Sequence, residues 1–555
     1  MAGKGPSIIE TRREEIFPIL TAAEIDRLRR FGDVRAYARS EHLLKAGAAS
    51  PGMFVILSGE VAVTLRDALG HTAPLVNYAP GFFMAELGTL SGSPALVDAV
   101  ARTAVEALVI PTVRIRDLMV GEAELGERIM RALILRRVAL LQSEAVGPVL
   151  IGRDGEVNSL RLENYLRRNG QPHHRIDPDT DNDARALIQR FHISPTELPL
   201  VVCPNGALLR NPTEHDLASC LGLLKRIDFA RLYDVMIAGA GPAGLAAAVY
   251  AASEGLSVIM LDGNAFGGQA GASMRIENYL GFPTGITGMA LMARAYNQAQ
   301  KFGVETSIPN EVVQLDTTKG EFVAETNDRQ RVRARSVVIA TGARYRRLNI
   351  SDLTQFEGSH VHYWASPIEG RLVAGQEIAL VGAGNSAGQA AVYLATQAAK
   401  VWLVMRGRSL ESSMSRYLIE RIAALDNVEV VPESEVIALS GEDGVLEQVH
   451  WRNVASREET TREIRHLFLF IGAEPNTAWA KSCDVALDPK GFIITGADLD
   501  VSRLPFETSR SGIFAIGDVR SGSVKRVASA VGEGAQVVAT LHTYLAAQSG
   551  TPAPL

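Results

Sequence analysis

The stretch LYDVMIAGAGPAG, residues 232 to 244, decides the fold of the longest part of this chain. Seven residues of strand composition run into three glycines, Gly239, Gly241 and Gly244, and an alanine-rich helix pattern follows. In such a turn the first glycine permits a tight bend, the second lets the backbone approach a pyrophosphate, and the third allows the helix to pack closely on the strand. After a second strand comes Asp262, 262 − 239 = 23 residues beyond Gly239, near the spacing of a carboxylate that binds a ribose. The pattern predicts a dinucleotide site formed by Gly239, Gly241, Pro242, Ala243, Gly244 and Asp262.

A second glycine turn, GAGNSAG, occupies residues 382 to 388 and follows the strand pattern EIALV. The strand after it, KVWLVMR, carries no acid; it ends in Arg406, and Arg408 lies two residues on. A carboxylate would repel the 2′-phosphate of NADPH, whereas guanidinium groups bind it in a fork. The alternative is that these arginines belong to an ordinary solvated turn. We therefore predict two different dinucleotides, FAD and NADPH, the second held by Gly382, Gly384, Asn385, Ser386, Arg406 and Arg408.

Four further motifs lie outside the two glycine turns: GGQ at 267 to 269, IENYLGFP at 276 to 283, VVIATGA at 337 to 343 and IGD at 516 to 518. The last of them is followed by KRVASAVGEGAQVV at 525 to 538. With them, residues 232 to 545 resemble the low-molecular-weight thioredoxin reductase family, in which an NADPH domain is inserted into an FAD domain. The resemblance implies a homodimer, and a helix after Lys525 whose positive end points at the flavin. It also implies FAD contacts from Gly268, Gln269, Asn278, Gly342, Gly517, Asp518, Arg526 and Val527.

That family places its redox cysteine pair shortly before the second glycine turn. The matching residues here are Tyr363, Trp364, Ala365 and Ser366, within HYWASPIE at 362 to 369. Tyr363 and Ser366 stand where the two sulfurs are expected, and neither residue can form a disulfide or a reactive thiolate. We interpret Tyr363, Trp364 and Ser366 as displaced redox-motif positions, so the usual route from flavin through an enzyme disulfide to thioredoxin is closed.

Two functions are compatible with this pattern. The first is an FAD-dependent NADPH oxidoreductase that passes electrons to oxygen, a quinone, a small disulfide or a redox protein. The second is a redox sensor that binds FAD and NADPH with little turnover and reports to a partner through the N-terminal region. True thioredoxin reductase activity is chemically disfavoured, because the thiol relay is missing.

The motifs GMFVILSGEV (52 to 61) and FFMAELGTLSGSPALVDA (82 to 99) resemble a cyclic-nucleotide-binding domain. The resemblance implies a small regulatory ligand near Glu86, Leu87 and Ser93. Ala95 stands where the family has the arginine that pairs with the cyclic phosphate, and Asp98 where a neutral hydroxyl is expected. We therefore expect cyclic AMP or cyclic GMP to bind weakly or not at all. Two alternatives stay open: a different ligand, or a ligand-free structural or dimerising role.

Residues 147 to 228 alternate strand and helix in the order βαβ then ββα. This is the order of thioredoxin and glutaredoxin, and Leu198-Pro199 matches the cis proline of those proteins. The segment RDGEVNS (153 to 159), where their redox cysteines are expected, contains no thiol. The alternative is an α/β linker domain of another kind.

The predicted fold class is multidomain: a β-roll with helices, a thioredoxin-like α/β domain, and FAD- and NAD(P)-binding Rossmann-like α/β domains. The first two occupy residues 1–146 and 147–228. The FAD domain is expected in two parts, 229–348 and 475–555, around an NADPH domain at 349–474.

Composition excludes several classes of protein. A formal net charge of −6 does not favour nucleic acid as a partner. The N-terminus lacks a signal-peptide pattern and no apolar run approaches 18 residues, so we expect a cytoplasmic protein with no membrane span. The three cysteines, Cys203, Cys220 and Cys483, have no close pair and no metal-ligand spacing. We expect small core residues, with no metal site and no disulfide.

Overall fold

The structure is a computed structural model. It describes residues 11–66, 72–85, 89, 94–143, 147–153, 156–224, 226–273, 275–317, 321–357, 359–442 and 444–549. The chain forms two compact units. The first comprises residues 1–154, 162–227 and 297–309, and the second comprises residues 155–161, 228–296 and 310–555.

Two four-stranded antiparallel sheets form the N-terminal part of the first unit. One has the order β1 (Asp33–Tyr37), β8 (Val105–Pro111), β3 (Gly52–Ser58), β6 (Phe83–Met84). The other has the order β2 (His42–Leu44), β7 (Val97–Ala101), β4 (Val61–Arg66), β5 (Thr72–Tyr78). Buried side chains of both sheets, such as Phe54, Val63 and Ala99, share one core, as in the predicted β-roll. The helices of this part are α1 (Arg13–Ile16), α2 (Ala22–Leu28), α3 (Thr112–Gly121) and α4 (Ala123–Ser143).

A second, smaller sheet follows, with the order β10 (His174–Ile176), β9 (Val149–Ile151), β11 (Leu200–Val202), β12 (Leu208–Arg210). β10 is parallel to β9, whereas β11 is antiparallel to both β9 and β12. The helices of this segment are α5 (Val157–Arg168), α6 (Asn182–Arg190) and α7 (Glu214–Cys220). The elements come in the order expected from the sequence, and the Leu198-Pro199 peptide is cis. The thioredoxin likeness of the segment stays a prediction.

The expectation that the cysteines do not pair is wrong. Cys203 and Cys220 form a disulfide, with their Cα atoms 6.0 Å apart; Cys483 is buried and lies outside it. Cys203 follows β11 and Cys220 ends α7, which packs on the sheet through Leu217 and Ala218. The pair could not be read from the sequence, because its proximity depends on this packing and not on a spacing motif.

The second unit contains a sheet with the order β14 (Val258–Leu261), β13 (Leu232–Ala238), β18 (Arg331–Ile339), β17 (Phe322–Thr326), β16 (Val312–Asp316); β29 (Ile513–Ala515) also pairs with β18. β13, β14, β18 and β29 are parallel, while β16 and β17 form an antiparallel extension. Helix α8 (Pro242–Ser253) connects β13 to β14, which is the predicted βαβ unit. The other elements of this region are α9 (Gly268–Gly271) and α15 (Val527–Ser549). Helix α10 (Gly288–Lys301) runs along the chain from the second unit into residues 297–309 of the first, which also contain β15 (Glu305–Ser307).

A five-stranded parallel sheet carries the second glycine turn, with the order β20 (Val361–His362), β27 (Leu467–Leu469), β21 (Glu377–Val381), β22 (Lys400–Val404), β23 (Val428–Val431). A three-stranded sheet accompanies it: β24 (Ser434–Ser440), β25 (Gln448–Asn453), β26 (Glu459–Glu463). The short antiparallel pair β19 (Ala343–Tyr345) and β28 (Ala473–Pro475) brings together the two chain segments that flank this region. Its helices are α11 (Leu353–Phe356), α12 (Pro367–Leu372), α13 (Asn385–Leu394) and α14 (Arg416–Ala423).

Short 3-10 turns complete the described chain: Arg29–Phe31, Pro195–Glu197, Trp479–Cys483, Gly496–Asp498 and Gly517–Val519. The long helices α4 and α15 have 21 and 23 residues. No helix in the described ranges has both the length and the apolar character needed to cross a membrane.

Candidate functional site

The first glycine turn joins β13 to α8 at the carboxyl edge of its sheet. Gly239 has a φ of 112°, and an added Cβ would collide with the carbonyl oxygen of Ala340. A Cβ on Gly244 would collide with the carbonyl oxygen of Gly239, so α8 lies closer to the strand than a larger residue permits. Local geometry therefore requires glycine at both positions.

Bare backbone lines the space beside this turn. The nearest atom to a Cβ built on Gly241 is the Cα of Gly268, 3.9 Å away, and Gly342, with a φ of 65°, faces open space. Helix α8 begins at Pro242 without a side-chain cap, so its first N–H group, that of Ala243, points out of the helix end. A groove of glycine backbone at a helix N-terminus fits the pyrophosphate of a dinucleotide.

Asp262 follows β14 and lies beside the same turn. Its carboxylate accepts hydrogen bonds from the N–H groups of Ala240 at 2.9 Å, Asn264 at 2.9 Å and Ala265 at 3.2 Å. Partial burial and, next, the charge of Asp262 raise the pKa of Glu311. The structure thus places Asp262 at the predicted edge, where it ties the glycine turn to the following loop. Its contact with a ribose stays a prediction.

The other expected FAD contacts lie in separate segments of the second unit. Gln269, on α9, donates a hydrogen bond to the carbonyl oxygen of Ala343. Asn278 is exposed. Arg526 and Val527 mark the start of α15, which is the helix whose N-terminus is expected to face the flavin.

Asp518 lies in the turn between β29 and α15. The N–H of the preceding Gly517 donates to the Glu533 carboxylate at 2.6 Å, and the Lys525 ammonium donates to the carbonyl oxygen of Asp518 at 2.6 Å. Burial raises the pKa of Asp518, an effect that Lys525 opposes, and burial lowers the pKa of Lys525. The loop ahead of α15 is therefore held by a contact with Glu533 on α15 and by a contact within the loop, from Lys525 to Asp518.

The second glycine turn joins β21 to α13 and repeats the features of the first. Gly382 has a φ of 148°, and an added Cβ would stand 2.5 Å from the carbonyl oxygen that follows β27. Gly384 faces open space within 4 Å and precedes α13 without a side-chain cap. Asn385 accepts the N–H of Ser415 at 2.6 Å, and Ser386 is exposed at the helix start. This turn fits a second dinucleotide.

Arg406 and Arg408 follow β22, the strand next to this turn. The Gly382 N–H donates to the carbonyl oxygen of Val404 at 3.0 Å, which ties the turn to the end of that strand. Arg408 is 2.8 Å from the Glu433 carboxylate with 89 % of its side chain exposed, and Arg406 is exposed with no ion pair to any described residue. An ion pair so exposed contributes only about 0–1 kcal/mol, so Glu433 holds the Arg408 guanidinium only weakly.

Tyr363 opens the segment between β20 and α12 in which the family pattern expects cysteines. Its hydroxyl donates to Glu357, which also pairs with Arg347. Its ring stacks on Tyr345, with centroids 6.0 Å apart. Burial and, next, the Glu357 carboxylate raise the pKa of Tyr363, so it is a neutral phenol.

Ser366 caps α12. Its hydroxyl oxygen accepts the N–H of Ile368 at 3.2 Å, and its own N–H donates to Glu369 at 2.9 Å. The indole N–H of Trp364 donates to the other carboxylate oxygen of Glu369 at 3.0 Å, and Glu369 is only 2 % exposed. Ser366 and Glu369 form a capping box. The sequence signal was present, because S-P-I-E has the spacing of such a box.

A buried histidine pair in this region was not singled out from the sequence. The Nε2 of His362 is 3.0 Å from the Nδ1 of His466, so one nitrogen donates to the other. Burial and then His466 hold the pKa of His362 well below its ordinary value near 6.5. Burial, followed by His360 and Arg465, lowers the pKa of His466 to about 4. The two rings are 104 positions apart and meet only because β20 pairs with β27.

The three expected ligand contacts of the N-terminal domain, Glu86, Leu87 and Ser93, are not among the residues that the structure describes. Asp98 is buried in β7, and its carboxylate accepts the N–H of Ala46 at 2.9 Å, which fixes the turn after β2. Ala95 is also buried.

Comparisons with known proteins agree with this geometry. Residues 233–534 match the model of the pyridine nucleotide-disulphide oxidoreductases, and residues 34–121 match that of the cyclic nucleotide-binding domain. The chain is 32 % identical over 311 residues to a thioredoxin reductase of Ureaplasma parvum, which covers 56 % of this chain and 96 % of that one. It is 30 % identical over 312 residues to a 34.2 kDa protein in a rubredoxin operon of Clostridium pasteurianum, with coverage of 56 % and 97 %. The crystal structure of Lactococcus lactis thioredoxin reductase matches with a TM-score of 0.53 and 28 % identity, over 57 % of this chain and 99 % of that one.

Two open glycine turns, each at the carboxyl edge of a parallel sheet, are the mark of an enzyme class that binds two dinucleotides. The chain belongs to the pyridine nucleotide-disulphide oxidoreductase family, in a thioredoxin-reductase-like form with an N-terminal cyclic nucleotide-binding domain. Thioredoxin reductases use FAD and NADPH, and the two turns fit that pair. The predicted β-roll and Rossmann-like domains are confirmed.

Proposed function

We propose that this chain is an FAD-dependent oxidoreductase that takes hydride from NADPH and delivers electrons to an acceptor other than thioredoxin. Oxygen, a quinone, a small disulfide and a redox protein are the acceptor classes. The supporting observation lies at residues 363–366, which contain no thiol. The side chains of Tyr363 and Ser366 are both engaged in contacts within the fold. Without a thiolate there, no disulfide exchange can carry electrons away.

The remaining cysteines do not replace the missing pair. Cys203 and Cys220 bond to each other in the first unit, so Cys483 is the one cysteine outside a disulfide in the sequence. Cys483 is buried. One buried thiol cannot cycle between a dithiol and an internal disulfide, so the second unit offers no such relay for electrons from the flavin.

The first glycine turn is the proposed FAD site. Gly241, Gly268 and Gly342 would leave room for the pyrophosphate, and Asp262 would take the ribose. When bound, FAD supplies the hydride and electron chemistry. The N-terminus of α15 would place the positive end of a 23-residue helix where negative charge is stabilised.

The second glycine turn is the proposed NADPH site. Gly382 and Gly384 would bring the backbone close to the pyrophosphate, and Asn385 and Ser386 lie at the start of α13. Arg406 and Arg408 would bind the 2′-phosphate, which NADH lacks.

The division of the chain also stays a proposal. We propose an FAD domain of residues 229–348 and 475–555 around an NADPH domain of 349–474, in a homodimeric protein. The β-roll would occupy 1–146 and the thioredoxin-like segment 147–228.

Anaerobic stopped-flow tests the first half of the reaction. FAD-loaded protein is mixed with saturating NADPH, and we expect the flavin absorbance to bleach within the range of ordinary enzyme turnover. Bleaching slower than about 0.01 per second, far below usual turnover, would contradict the proposal and favour a redox sensor. NADPH and NADH are then compared side by side with oxygen, quinone and small-disulfide acceptors.

An insulin-coupled assay with several thioredoxins tests the second half. We expect no thioredoxin reduction by the wild-type chain, even when its flavin is reduced rapidly. The double variant Tyr363→Cys/Ser366→Cys restores a dithiol, and the single variant Ser366→Cys is the matched control with one thiol. Thioredoxin reduction by the wild-type chain would exclude the proposed acceptor class.

A further inference from the structure

The β-roll of the first unit contains a cavity of about 60 Å³. Apolar side chains make most of its wall, among them Val63, Leu75 and Leu96. The polar side chains of the wall are Ser50, Tyr78, Thr89 and Arg136, and in the described part of the chain no carboxylate lines the cavity. The wall therefore carries a single formal charge, which is positive.

That charge belongs to Arg136 of α4, which is only 6 % exposed. Its Nε donates to the carbonyl oxygen of Ile16 at 2.9 Å, and its Nη1 donates to the carbonyl oxygen of Ala85 at 2.9 Å. Its Nη2 is fully buried and has no hydrogen-bond partner among the described residues, so a ligand can pair with it only after a small shift of the side chain. The guanidinium lies 4.5 Å from the ring centroid of Phe83. In the described ranges the contacts of this buried cation are with carbonyl groups and aromatic rings. A buried cation without an anion is costly, and an anion that pairs with it offsets that cost.

The size of the cavity limits what could pair with Arg136. A cavity of about 150 Å³ binds benzene, so about 60 Å³ suits a carboxylate with a few carbon atoms. A cyclic nucleotide is much larger, and Ala95 offers no charge to its phosphate. The carboxylate of Asp98 is already bonded to the Ala46 N–H.

We propose that this cavity binds a short-chain monocarboxylate, with its carboxylate at Arg136 and its alkyl chain among Val63, Leu75 and Leu96. A guanidinium group forms strong charge-assisted hydrogen bonds with a carboxylate. The apolar wall excludes water from the alkyl chain, and this burial adds to the affinity. None of the residues that line this cavity belongs to the two glycine turns. The proposal also does not depend on the proposed oxidoreductase reaction.

Calorimetric titration of the full FAD-loaded chain tests the site. The ligands are propionate, butyrate, hexanoate and benzoate, each compared with its neutral amide, and cyclic AMP and cyclic GMP. We expect saturable binding of propionate or butyrate, and at least about tenfold weaker binding of the matching amide, because the amide lacks the charge that Arg136 recognises. Equal binding of acid and amide, no binding of any acid at millimolar concentration, or tighter binding of a cyclic nucleotide would each overturn the proposal.

Variants separate the site from general effects on the domain. Arg136→Lys keeps the charge but shortens its reach, and Arg131→Lys is the control because Arg131 is an exposed arginine on the same helix. We expect butyrate affinity to fall at least about tenfold in the first variant and to stay unchanged in the second. Leu96→Phe fills the cavity and leaves Arg136 in place, so it tests the site even if Arg136→Lys fails to fold. Wild-type affinity in folded Leu96→Phe would overturn the assignment.

Discussion

At residue 366 a serine hydroxyl accepts a backbone N–H where the family pattern expects a sulfur atom. Ser366→Ala removes this cap of α12, and we expect the free energy of unfolding to fall by about 1 kcal/mol. The rate of flavin reduction by NADPH should not change, because the hydroxyl has a structural role. Ser366→Thr keeps an oxygen acceptor and is the matched control. Denaturant unfolding and stopped-flow measure both effects; slow flavin reduction in the folded alanine variant alone would assign Ser366 to the reaction.

The buried histidine pair predicts a dependence of stability on pH. In the unfolded chain these imidazoles protonate near their ordinary pKa of 6.5, whereas burial keeps them neutral to lower pH in the fold. Between pH 6.5 and the folded pKa of His466 near 4, the unfolded chain therefore binds more protons than the folded chain. The free energy of unfolding consequently decreases as the pH falls through this range. We expect the pair to account for a loss of roughly 1–3 kcal/mol across this window.

Denaturant unfolding of the wild-type chain and of His466→Gln at neutral and acidic pH isolates this effect. Carboxyl groups titrate in both proteins and cancel in the comparison. The wild-type chain should lose more stability on acidification than the variant. An equal loss in both proteins would mean that the pair does not control this dependence.

Arg406 is expected to distinguish the two nicotinamide cofactors. Arg406→Met removes an exposed guanidinium that has no ion pair among the described residues, so we expect the KM for NADPH to rise about tenfold. The KM for NADH should stay constant, because NADH has no 2′-phosphate. Steady-state kinetics with both cofactors measure the ratio, and Arg408→Met, whose guanidinium pairs with Glu433, gives the second comparison. Equal changes for NADPH and NADH would remove Arg406 from phosphate recognition.

Residues whose roles are local could be predicted from the sequence, and residues whose roles depend on distant partners could not. Gly239 and Gly382 were predicted because a tight bend at the end of a strand needs a backbone that only glycine adopts easily. His362 and His466 were missed because strand pairing brings them together. Ser366 was interpreted through the family pattern, although its spacing to Glu369 also indicated a cap.

At the scale of elements, the close packing of α8 against α15 depends on one glycine. A Cβ on Gly534 would stand 2.5 Å from the carbonyl oxygen of Ala243 and 2.7 Å from the Cβ of Ala246. Gly532, two residues earlier on α15, faces open space within 4 Å. We expect Gly534→Ala to destabilise the second unit by about 1–3 kcal/mol through overpacking. Gly532→Ala should stabilise it by about 0.5–1 kcal/mol, because alanine favours a helix.

Thermal or denaturant unfolding of these two variants measures the difference directly. Both changes add one methyl group to the same helix, so helix propensity alone predicts the same sign for both. A gain in stability for Gly534→Ala would show that the helices can separate at little cost.

Along much of the chain, the helices and strands and their order could be predicted from the hydrophobic pattern. The spacing of apolar residues in a helix or a strand is a local property of the sequence. The disulfide between β11 and α7 could not be predicted in this way, because its cysteines are 17 positions apart in the sequence. Only the return of α7 onto the sheet makes the bond possible.

At the scale of the whole molecule, each of the two units has its own core and should respond to a different reagent. The proposed FAD site lies in the second unit, so FAD should raise the temperature at which that unit unfolds. A reductant opens the Cys203–Cys220 bond, and loss of a cross-link over 17 residues should cost the first unit about 3 kcal/mol. Calorimetry with FAD, with dithiothreitol and with both reagents distinguishes the two transitions.

The double variant Cys203→Ala/Cys220→Ala is the control for this experiment. It should unfold at the same temperature with and without dithiothreitol, while its response to FAD is retained. A shift by dithiothreitol in this variant would place the sensitive group elsewhere.

The capping box at Ser366 also limits how this chain could change under selection. Ser366→Cys alone gives up the cap of α12, and Tyr363→Cys alone gives up the hydrogen bond to Glu357. Neither step provides an internal disulfide, which needs both sulfurs. A mutational path toward a dithiol enzyme therefore passes through intermediates that are less stable and have gained no new chemistry.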